Sequence, residues 1–356
     1  MTLSTLSRNG ATPHVVADSA PLSAHLARAR ESAYELVIRS GADYSKPVIS
    51  VIVPTRNRRD LVYQTVEALA AQDLEPGSYE IIIVDNASND GTVEMLCEAA
   101  SQHDVRIILA RMRNDCGPAV ARNVGVTLAA GDYVAFTDSD CVPSKKWLKS
   151  CVAAMASGAG IVQGMTLAVP GQRQPLFNHF IETARLDGSF STSNVCYRRD
   201  AILAVGGFDD ACRYWEDVDL GWRVCHLGYQ PQFDPTALVH HQVMPLSGWQ
   251  WVTQPRRFYN WPAKAARYPE FRRHLFLGLW AHPWHALFET FVAGLILARW
   301  RRAALLLTLP YLVAFPMRRR LTGRWPLAKA IAHFAYDCVS LGALLAGSIR
   351  FRRPVL

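Results

Sequence analysis

The sequence predicts an α/β protein built on a mostly parallel sheet flanked by helices, followed by an apolar helical region. Three observations lead there. Short β-branched runs alternate with amphipathic stretches of helix length from about residue 47 to residue 137. Clusters of Asn, Asp, Ser, Thr and Arg follow those runs, and beyond about residue 270 the apolar runs lengthen while almost every charge is an arginine. Strand–helix alternation implies parallel strands joined by right-handed crossovers, with ligands beyond the carboxyl ends of the strands.

The elements follow in order. Val48–Val53 is a β-branched run closed by Pro54, and Arg59–Gln72 carries Leu61, Val62, Val66 and Leu69 at helical spacing. Glu80–Val84 reads as a second buried strand, with a helix starting near Thr92. Arg106–Leu109 is the third strand. Gly117-Pro118 then opens a helix reaching about Ala130, proline suiting the first helical turn. Tyr133–Phe136 is the fourth strand. Upstream, residues 1–20 read as disordered and 22–39 as an amphipathic helix with Leu22, Leu26, Tyr34, Leu36 and Val37 as its apolar positions. The expected division is an N-terminal extension over 1–45, a catalytic α/β domain over 46–270 and a membrane-associated region over 271–356.

Composition narrows the function. The eight cysteines are scattered without a CxxC pair, which reads as reduced thiols rather than a zinc site or disulfide framework. No apolar core follows Met1, so no signal peptide is expected. The net charge of +8 comes with arginine clusters at 299, 301 and 302, at 318–320, and at 350, 352 and 353, each punctuating apolar sequence. That placement suits anionic lipid headgroups and argues against a nucleic-acid partner.

The polar clusters carry the chemistry. Pro54-Thr55-Arg56-Asn57 follows the first strand, Asp85-Asn86 the second, and Asp138-Ser139-Asp140 the fourth, while Ala121-Arg122-Asn123 lies in the third helix. Any one of the polar loops reads as a turn or helix cap; together they read as a site. Two carboxylates as close as Asp138 and Asp140 repel unless a cation or strong donors neutralise them, and hard oxygen ligands suit Mg2+ or Mn2+ bridging to a diphosphate. Walker A and GxGxxG patterns are missing. Farther on, Trp215-Glu216-Asp217-Val218-Asp219 places acids in the first turn of a helix, where dipole compensation is the bland explanation.

Taken in order, these motifs resemble the family 2 glycosyltransferases of GT-A fold, over roughly residues 47–260. VIVPTRNR and IIIVDNASNDGT resemble the family's first two strands and loops, and GPAVARNVG the segment whose arginine meets the diphosphate. FTDSD resembles the DxD strand end, GGFD the turn after the acceptor-side strand, and WEDVDLGWR the ED motif. The resemblance implies a Rossmann-like, mostly parallel sheet and a nucleotide-diphosphate sugar donor. It implies Pro54, Thr55, Arg56, Asn57, Asp85, Asn86, Arg122, Asp138 and Ser139 around the nucleotide sugar. Asp138, Asp140 and His241 would hold Mg2+ or Mn2+, and Asp217, beside Glu216, would be the base. His241 has a structural histidine as its alternative. Asn194, Trp215, Gln254, Arg257 and Phe258 would meet the acceptor, the last three through a QxxRW-like segment carrying phenylalanine in place of tryptophan. Arg56 departs from the tyrosine that many members carry.

The expected activity is inverting transfer to a lipid-linked or cell-envelope glycan acceptor at the cytoplasmic face of the membrane. One metal-holding pair and one distal acid suit displacement by a single base; the spacing alone leaves Glu216 and Asp219 as further candidates. Two alternatives stand: a phosphohydrolase with Asp138 as nucleophile, and a non-catalytic membrane-bound glycan-binding protein. The apolar segments Leu275–Ala298, Ala303–Met317 and Leu327–Ile349 are broken by His, Pro and charged residues. Interfacial helices or a hairpin that dips into the bilayer suit them, with a packed helical subdomain as the alternative.

Overall fold

The structure is a computed structural model describing residues 24–31, 34–40, 46–212, 214–318 and 326–356. Its strands are β1 Tyr34–Ser40, β2 Ile49–Thr55, β3 Tyr79–Asp85, β4 Arg106–Met112, β5 Tyr133–Phe136, β6 Cys141–Pro143, β7 Ile161–Ala168, β8 Asn178–His179, β9 Val195–Arg198, β10 Pro231–His241 and β11 Met244–Pro245. The helices are α1 Ala24–Glu31, α2 Arg59–Ala70, α3 Thr92–Ala100, α4 Pro118–Leu128, α5 Trp147–Ala156, α6 Arg199–Val205, α7 Glu216–His226, α8 Gly248–Thr253, α9 Trp261–Arg267, α10 Pro283–Leu297, α11 Leu309–Arg318 and α12 Pro326–Phe351.

Nine strands form one sheet in the order β1-β4-β3-β2-β5-β9-β7-β10-β6, and β8 and β11 pair apart from it. β2 lies parallel to β3 and β5, β3 to β4, and β7 to β10. β9, inserted antiparallel between β5 and β7, leaves those two running the same way. The edge strands β1 and β6 are antiparallel to their neighbours. Side chains alternate between the faces of a strand, and the core divides accordingly. Val51, Val53, Ile81, Ile83, Ile107 and Leu109 pack on one face with Val62, Val66, Leu96 and Trp147 from α2, α3 and α5. Ile52, Ile82, Val84 and Ile108 pack on the other with Val120, Val124, Ile202 and Leu220 from α4, α6 and α7. Strands apolar on both faces are what a helix-covered parallel sheet needs.

The expected helix over 22–39 is corrected. Among the described residues of that stretch a helix covers Ala24–Glu31, and Tyr34–Ser40 is an edge strand paired to β4, while Leu22 lies outside the described residues. The β-branched Val37 and Ile38 fit that strand, and β4 supplies hydrogen bonds that a helix would have made locally. Residues 1–20 and the Arg319–Arg320 part of one basic cluster lie outside the described residues. Leu275–Ala298 is also shorter as a helix than expected: it begins at Pro283, after a tight segment bridged between Phe276 and Trp280.

Among the described residues one helix, α12, is long and apolar enough to cross a membrane. It lies against the 254–260 segment, where a Cβ at Gly347 would collide with the Tyr259 carbonyl oxygen. Leu344 is fully buried in that contact region, whereas Leu327, Ile331 and Ile349 are exposed.

Candidate active site

Sheet topology gathers the site. β2, β3 and β5 end together, in register from Ile49↔Tyr79 to Thr55↔Asp85 on one side of β2 and from Ile49↔Tyr133 to Ile52↔Phe136 on the other. Beyond these ends lies a cavity of about 1060 Å³ lined by Pro54, Thr55, Arg56, Asn86, Arg122, Asp138, Ser139, Asp140 and His241 among others.

The strand-end floor is polar and partly unpaired. Thr55 Oγ1 and Asp85 Oδ1 are buried without a hydrogen-bond partner. The other Asp85 oxygen accepts from the Ser88 backbone at 3.1 Å. Burial raises the Asp85 pKa above the ordinary 3.8, against the lowering effect of Ser88. Buried polar atoms are normally satisfied, which makes Thr55 Oγ1 and Asp85 Oδ1 exceptions among the described residues. Asp85 lies behind the cavity wall, while Thr55 is on it. Asn86 binds Asp115 through Nδ2 at 2.6 Å and accepts from Cys116 N at 3.0 Å, and Arg56 pairs with Asp115. Asn57 adopts a positive φ of 50° and receives a backbone bond from Asn89.

Arg122 is the charge at the centre. α4 starts at Gly117, whose φ of 85° suits glycine, with Pro118 at the first turn. The helix carries Arg122 beneath the cavity, where it is 6% exposed. Nη2 meets Asp138 and Nη1 meets Glu216, both at 3.0 Å. The next residue, Asn123, clamps the GGFD turn: its side chain accepts from Phe208 N at 2.8 Å and donates to Phe208 O at 2.9 Å.

Asp140 faces the opposite side. Residue His241 pairs with Cys141 in the β10–β6 register, and the strand's alternation turns His241 inward. His241 Nε2 sits 3.7 Å from Asp140 Oδ1. Its Nδ1 lies 2.8 Å from the Gln242 carbonyl, and a ring that donates to that carbonyl in its neutral form presents the Nε2 lone pair toward Asp140. Asp140, Cys141 and His241 bring ligand atoms within 4.8 Å of one another. Burial, with Asp138 and Asp140 nearby, pushes the Cys141 thiol up, so the anionic donor there is Asp140. A carboxylate oxygen and an imidazole nitrogen fit a divalent cation of Mg2+ or Mn2+ type. Asp138 stands apart, turned toward Arg122.

The three acids of α7 separate. Glu216 lines the cavity. Asp217 is half-buried beside it, and burial, then Glu216, pushes its pKa up to about 7. Asp219 is fully buried, bonded to Arg223 Nε at 2.7 Å and the Tyr268 hydroxyl at 2.6 Å, with Arg267 at 3.2 Å. That network commits Asp219 to holding α7 in place.

The expected acceptor residues do not meet in the cavity. Asn194 is wholly buried; its amide accepts from Trp147 Nε1 and donates to the Met165 and Ala237 carbonyls, each at 2.8 Å. Its place is inside the sheet. Trp215 packs near Arg267, and Phe258 packs on Trp261 and His285. The cavity's other wall is instead formed by His179, Ile181, Met244, Pro245 and Leu246. Burial first, and the neighbouring Arg257, His241 and Arg58 charges, depress His179 to about 4, leaving it neutral near pH 7. This wall was missed because two-residue strands leave no periodic signal. Arg58, within the quoted VIVPTRNR, also lines the cavity.

A mostly parallel Rossmann-like sheet with polar groups gathered beyond its strand ends is the architecture of a GT-A-type fold. The sequence profile described as Glycosyl transferase family 2 matches residues 50–201, and that of Glycosyl transferase family group 2 matches residues 133–317. The chain belongs to glycosyltransferase family 2. It is 28% identical over 208 residues to Glycosyltransferase AglE of Haloferax volcanii, covering 56% of this chain and 68% of that one. It is 30% identical over 245 residues to Pre-mycofactocin glycosyltransferase of Mycobacterium tuberculosis, spanning 62% of this chain and about half (48%) of that relative. In fold it is similar to the mannosyltransferase PcManGT from Pyrobaculum calidifontis, solved in complex with GDP-Man and Mn2+. The TM-score is 0.54 at 19% identity, with 92% of each chain covered.

Proposed function

We propose that this chain is an inverting, divalent-metal-dependent glycosyltransferase. It moves one sugar from a nucleotide-diphosphate donor to a lipid-linked or cell-envelope glycan acceptor at the cytoplasmic face of a membrane. The observation that carries the reading is the single cavity into which Thr55, Arg122, Asp138, Asp140, Glu216 and His241 all open.

Each group has work suited to its setting. Thr55 and Asp85 offer unpaired oxygens to the base and ribose, with Pro54, Arg56, Asn57 and Asn86 shaping the loops around them. Arg122 and the Ser139 loop face the diphosphate, and preorganised charge there favours the departing group. Asp140 and His241 would hold Mg2+ or Mn2+, which supplies neutralisation of the leaving nucleoside diphosphate. Asp217, with a pKa near 7, suits proton removal from an acceptor hydroxyl. Asp219 is spoken for, which supports one base rather than a base and a nucleophile.

Acceptor chemistry is supported by the apolar wall. Ile181, Met244, Pro245 and Leu246 face the cavity. Behind them Phe177 stacks near Trp251 at 5.3 Å, and Trp251 near Tyr336 of α12 at 4.6 Å. The cavity wall is thus continuous with the C-terminal region that exposes Trp300, Leu306, Val313, Leu327 and Ile331, with Arg299, Arg301 and Arg302 among them. Exposed apolar area rimmed by arginine matches an anionic leaflet, and packing of α12 on the 254–260 segment favours lying on the membrane over crossing it. We accordingly assign 46–270 to catalysis and 271–356 to membrane attachment.

The test is a thermal-shift screen of nucleotide-diphosphate sugars with Mn2+, repeated in excess EDTA, followed by transfer assays with the stabilising donor. One donor class should raise the melting temperature only with metal. Undiminished nucleotide affinity in EDTA would remove the metal assignment.

A further inference from the structure

The cation-binding carboxylate is already in use. Arg58 Nη1 contacts Asp140 Oδ2, while Oδ1 of the same carboxylate faces His241 Nε2 at 3.7 Å. The arrangement mirrors Arg122 on Asp138, but the two arginines differ in burial and in the number of their partners. Arg122 is buried and held by two acids. The Arg58 side chain is 39% exposed, and Asp140 is its one ion-pair partner among the described residues. Arg58 occupies the N-cap position of α2 without making a capping bond, directly after Asn57 with its positive φ. The side chain is therefore not needed to cap its own helix, and its long flexible stem can reorient at little cost to the fold.

Charge counting gives the contact a consequence. The cavity is lined by Asp115, Asp138, Asp140, Asp210 and Glu216 against Arg56, Arg58 and Arg122. Arg56 is paired with Asp115, and Arg122 with Asp138 and Glu216. A divalent cation seated between Asp140 and His241 takes over the neutralisation that Arg58 provides, and like charge then disfavours the guanidinium's position. The proposed donor would bring a diphosphate into the same cavity, and a freed guanidinium is a fitting partner for it.

We propose that Arg58 is a two-position residue, seated on Asp140 while the cation site is empty and turned onto the donor diphosphate when a divalent cation displaces it. Resting on the metal-dependent reading above, this makes Arg58 a placeholder for the cation and then a ligand of the leaving group. The two roles carry opposite signatures on removal. Arg58→Ala should bind Mn2+ alone about three- to tenfold more tightly, because a competing ion pair is gone. The same variant should bind pyrophosphate in saturating Mn2+ more weakly by a similar factor. Arg59→Ala, which removes the same charge one residue away, controls for net charge and should do neither.

The experiment is titration of Mn2+ alone, followed by electron paramagnetic resonance of the free ion. It is paired with calorimetric titration of pyrophosphate into Mn2+-loaded wild type, Arg58→Ala, Arg58→Lys and Arg59→Ala. Arg58→Lys, keeping the charge but losing the planar fork, should lie between wild type and Arg58→Ala in both titrations. Equal Mn2+ affinity in wild type and Arg58→Ala, or equal gains in Arg58→Ala and Arg59→Ala, would overturn the placeholder role. Weaker Mn2+ binding in Arg58→Ala would overturn it as well. Unchanged pyrophosphate affinity would overturn the second position. Failure of every protein to bind Mn2+ would instead remove the metal assignment itself.

Discussion

Replacing Asp217 by asparagine tests the proposed base through two properties at once. The amide is nearly isosteric, and its oxygen can keep the 2.8 Å bond from the Val218 backbone. The groups facing the carboxyl are Glu216 on the same helix, Arg122 from α4, Lys264 from α9 and Tyr197 from β9. Burial outweighs the cations among them and lifts the pKa from 3.8 to about 7. A carboxyl raised in the folded state keeps its proton to higher pH than the unfolded chain does. Ionising it therefore costs stability progressively between about pH 4 and pH 7, and the whole cost persists above. Each pKa unit corresponds to about 1.4 kcal/mol, so the cost approaches roughly 4 kcal/mol before screening and about half that for a partly wetted side chain. Asp217→Asn should match wild type in urea unfolding at pH 4 and exceed it by about 2 kcal/mol at pH 8. Turnover should fall at least about a hundredfold, while donor affinity by calorimetry stays within about twofold, since the base acts on the acceptor. Wild-type kcat should rise with pH through about 7 and then level. Near wild-type turnover in the variant would transfer the base role to Glu216, and lower stability at pH 8 would refute the buried-charge reasoning.

Other expectations follow from the same contacts. Asp140→Asn should weaken nucleotide-diphosphate binding in Mn2+ about tenfold or more, down to the level of wild type in EDTA, as calorimetry would show. Asn194→Ala strands the Trp147 indole N–H and two backbone carbonyls, and should cost about 2–4 kcal/mol in urea unfolding. Gly347→Val forces α12 off the Tyr259 carbonyl, costing about 1–3 kcal/mol and opening α12 to proteolysis. The chain should float with anionic liposomes. Neutralising Arg299, Arg301 and Arg302 together should weaken that by about 3 kcal/mol, since each basic residue contributes about 1 kcal/mol near such a surface. A protein that stays entirely in the soluble fraction would leave the packed-subdomain reading in its place.

The polar groups at the strand ends were legible because they are local. Thr55, Asp85 and Asp138 each end or follow an apolar strand, so hydrophobic periodicity finds the strand and the strand end finds the residue. His241 was reachable too, but its relation to Asp140 rests on the β10–β6 register, which joins residues a hundred positions apart and has no counterpart in periodicity. The acceptor assignments fared otherwise. Asn194 sits in a polar loop segment that looks exposed in sequence, and only the tertiary fold reveals three core groups converging on its amide. The Tyr34–Ser40 strand was read as helix because Leu36 and Val37 also suit an amphipathic face. The free edge of β4 decided the outcome, and an edge exists only once the sheet has formed.

The first turn of α7 shows how one short motif divides labour that sequence spacing alone left open. Successive helical residues are rotated by about 100°, so positions 216, 217 and 219 point in three directions. Glu216 turns to the cavity and meets Arg122. Asp217 turns toward the interior near Lys264, where desolvation gives a carboxyl the pKa a base requires. Asp219 turns to the core, where Arg223 and Tyr268 hold it and Arg267 approaches. Arg223 also donates to the Val205 and Gly207 carbonyls at 2.7 Å, tying α7 to the GGFD turn that Asn123 clamps from the other side. Asn123 and Arg122 are adjacent on α4, so the helix that carries Arg122 also fixes the turn against which α7 is seated. The spacing of Arg122 and Asp217 is thus held by a path of hydrogen bonds, from Asn123 through Phe208 and Gly207 to Arg223 and Asp219, beside the direct Arg122–Glu216 contact. A transferase that must place an acceptor hydroxyl in line with a departing diphosphate needs that distance held, because misplacement by about 1 Å can cost a hundredfold in rate.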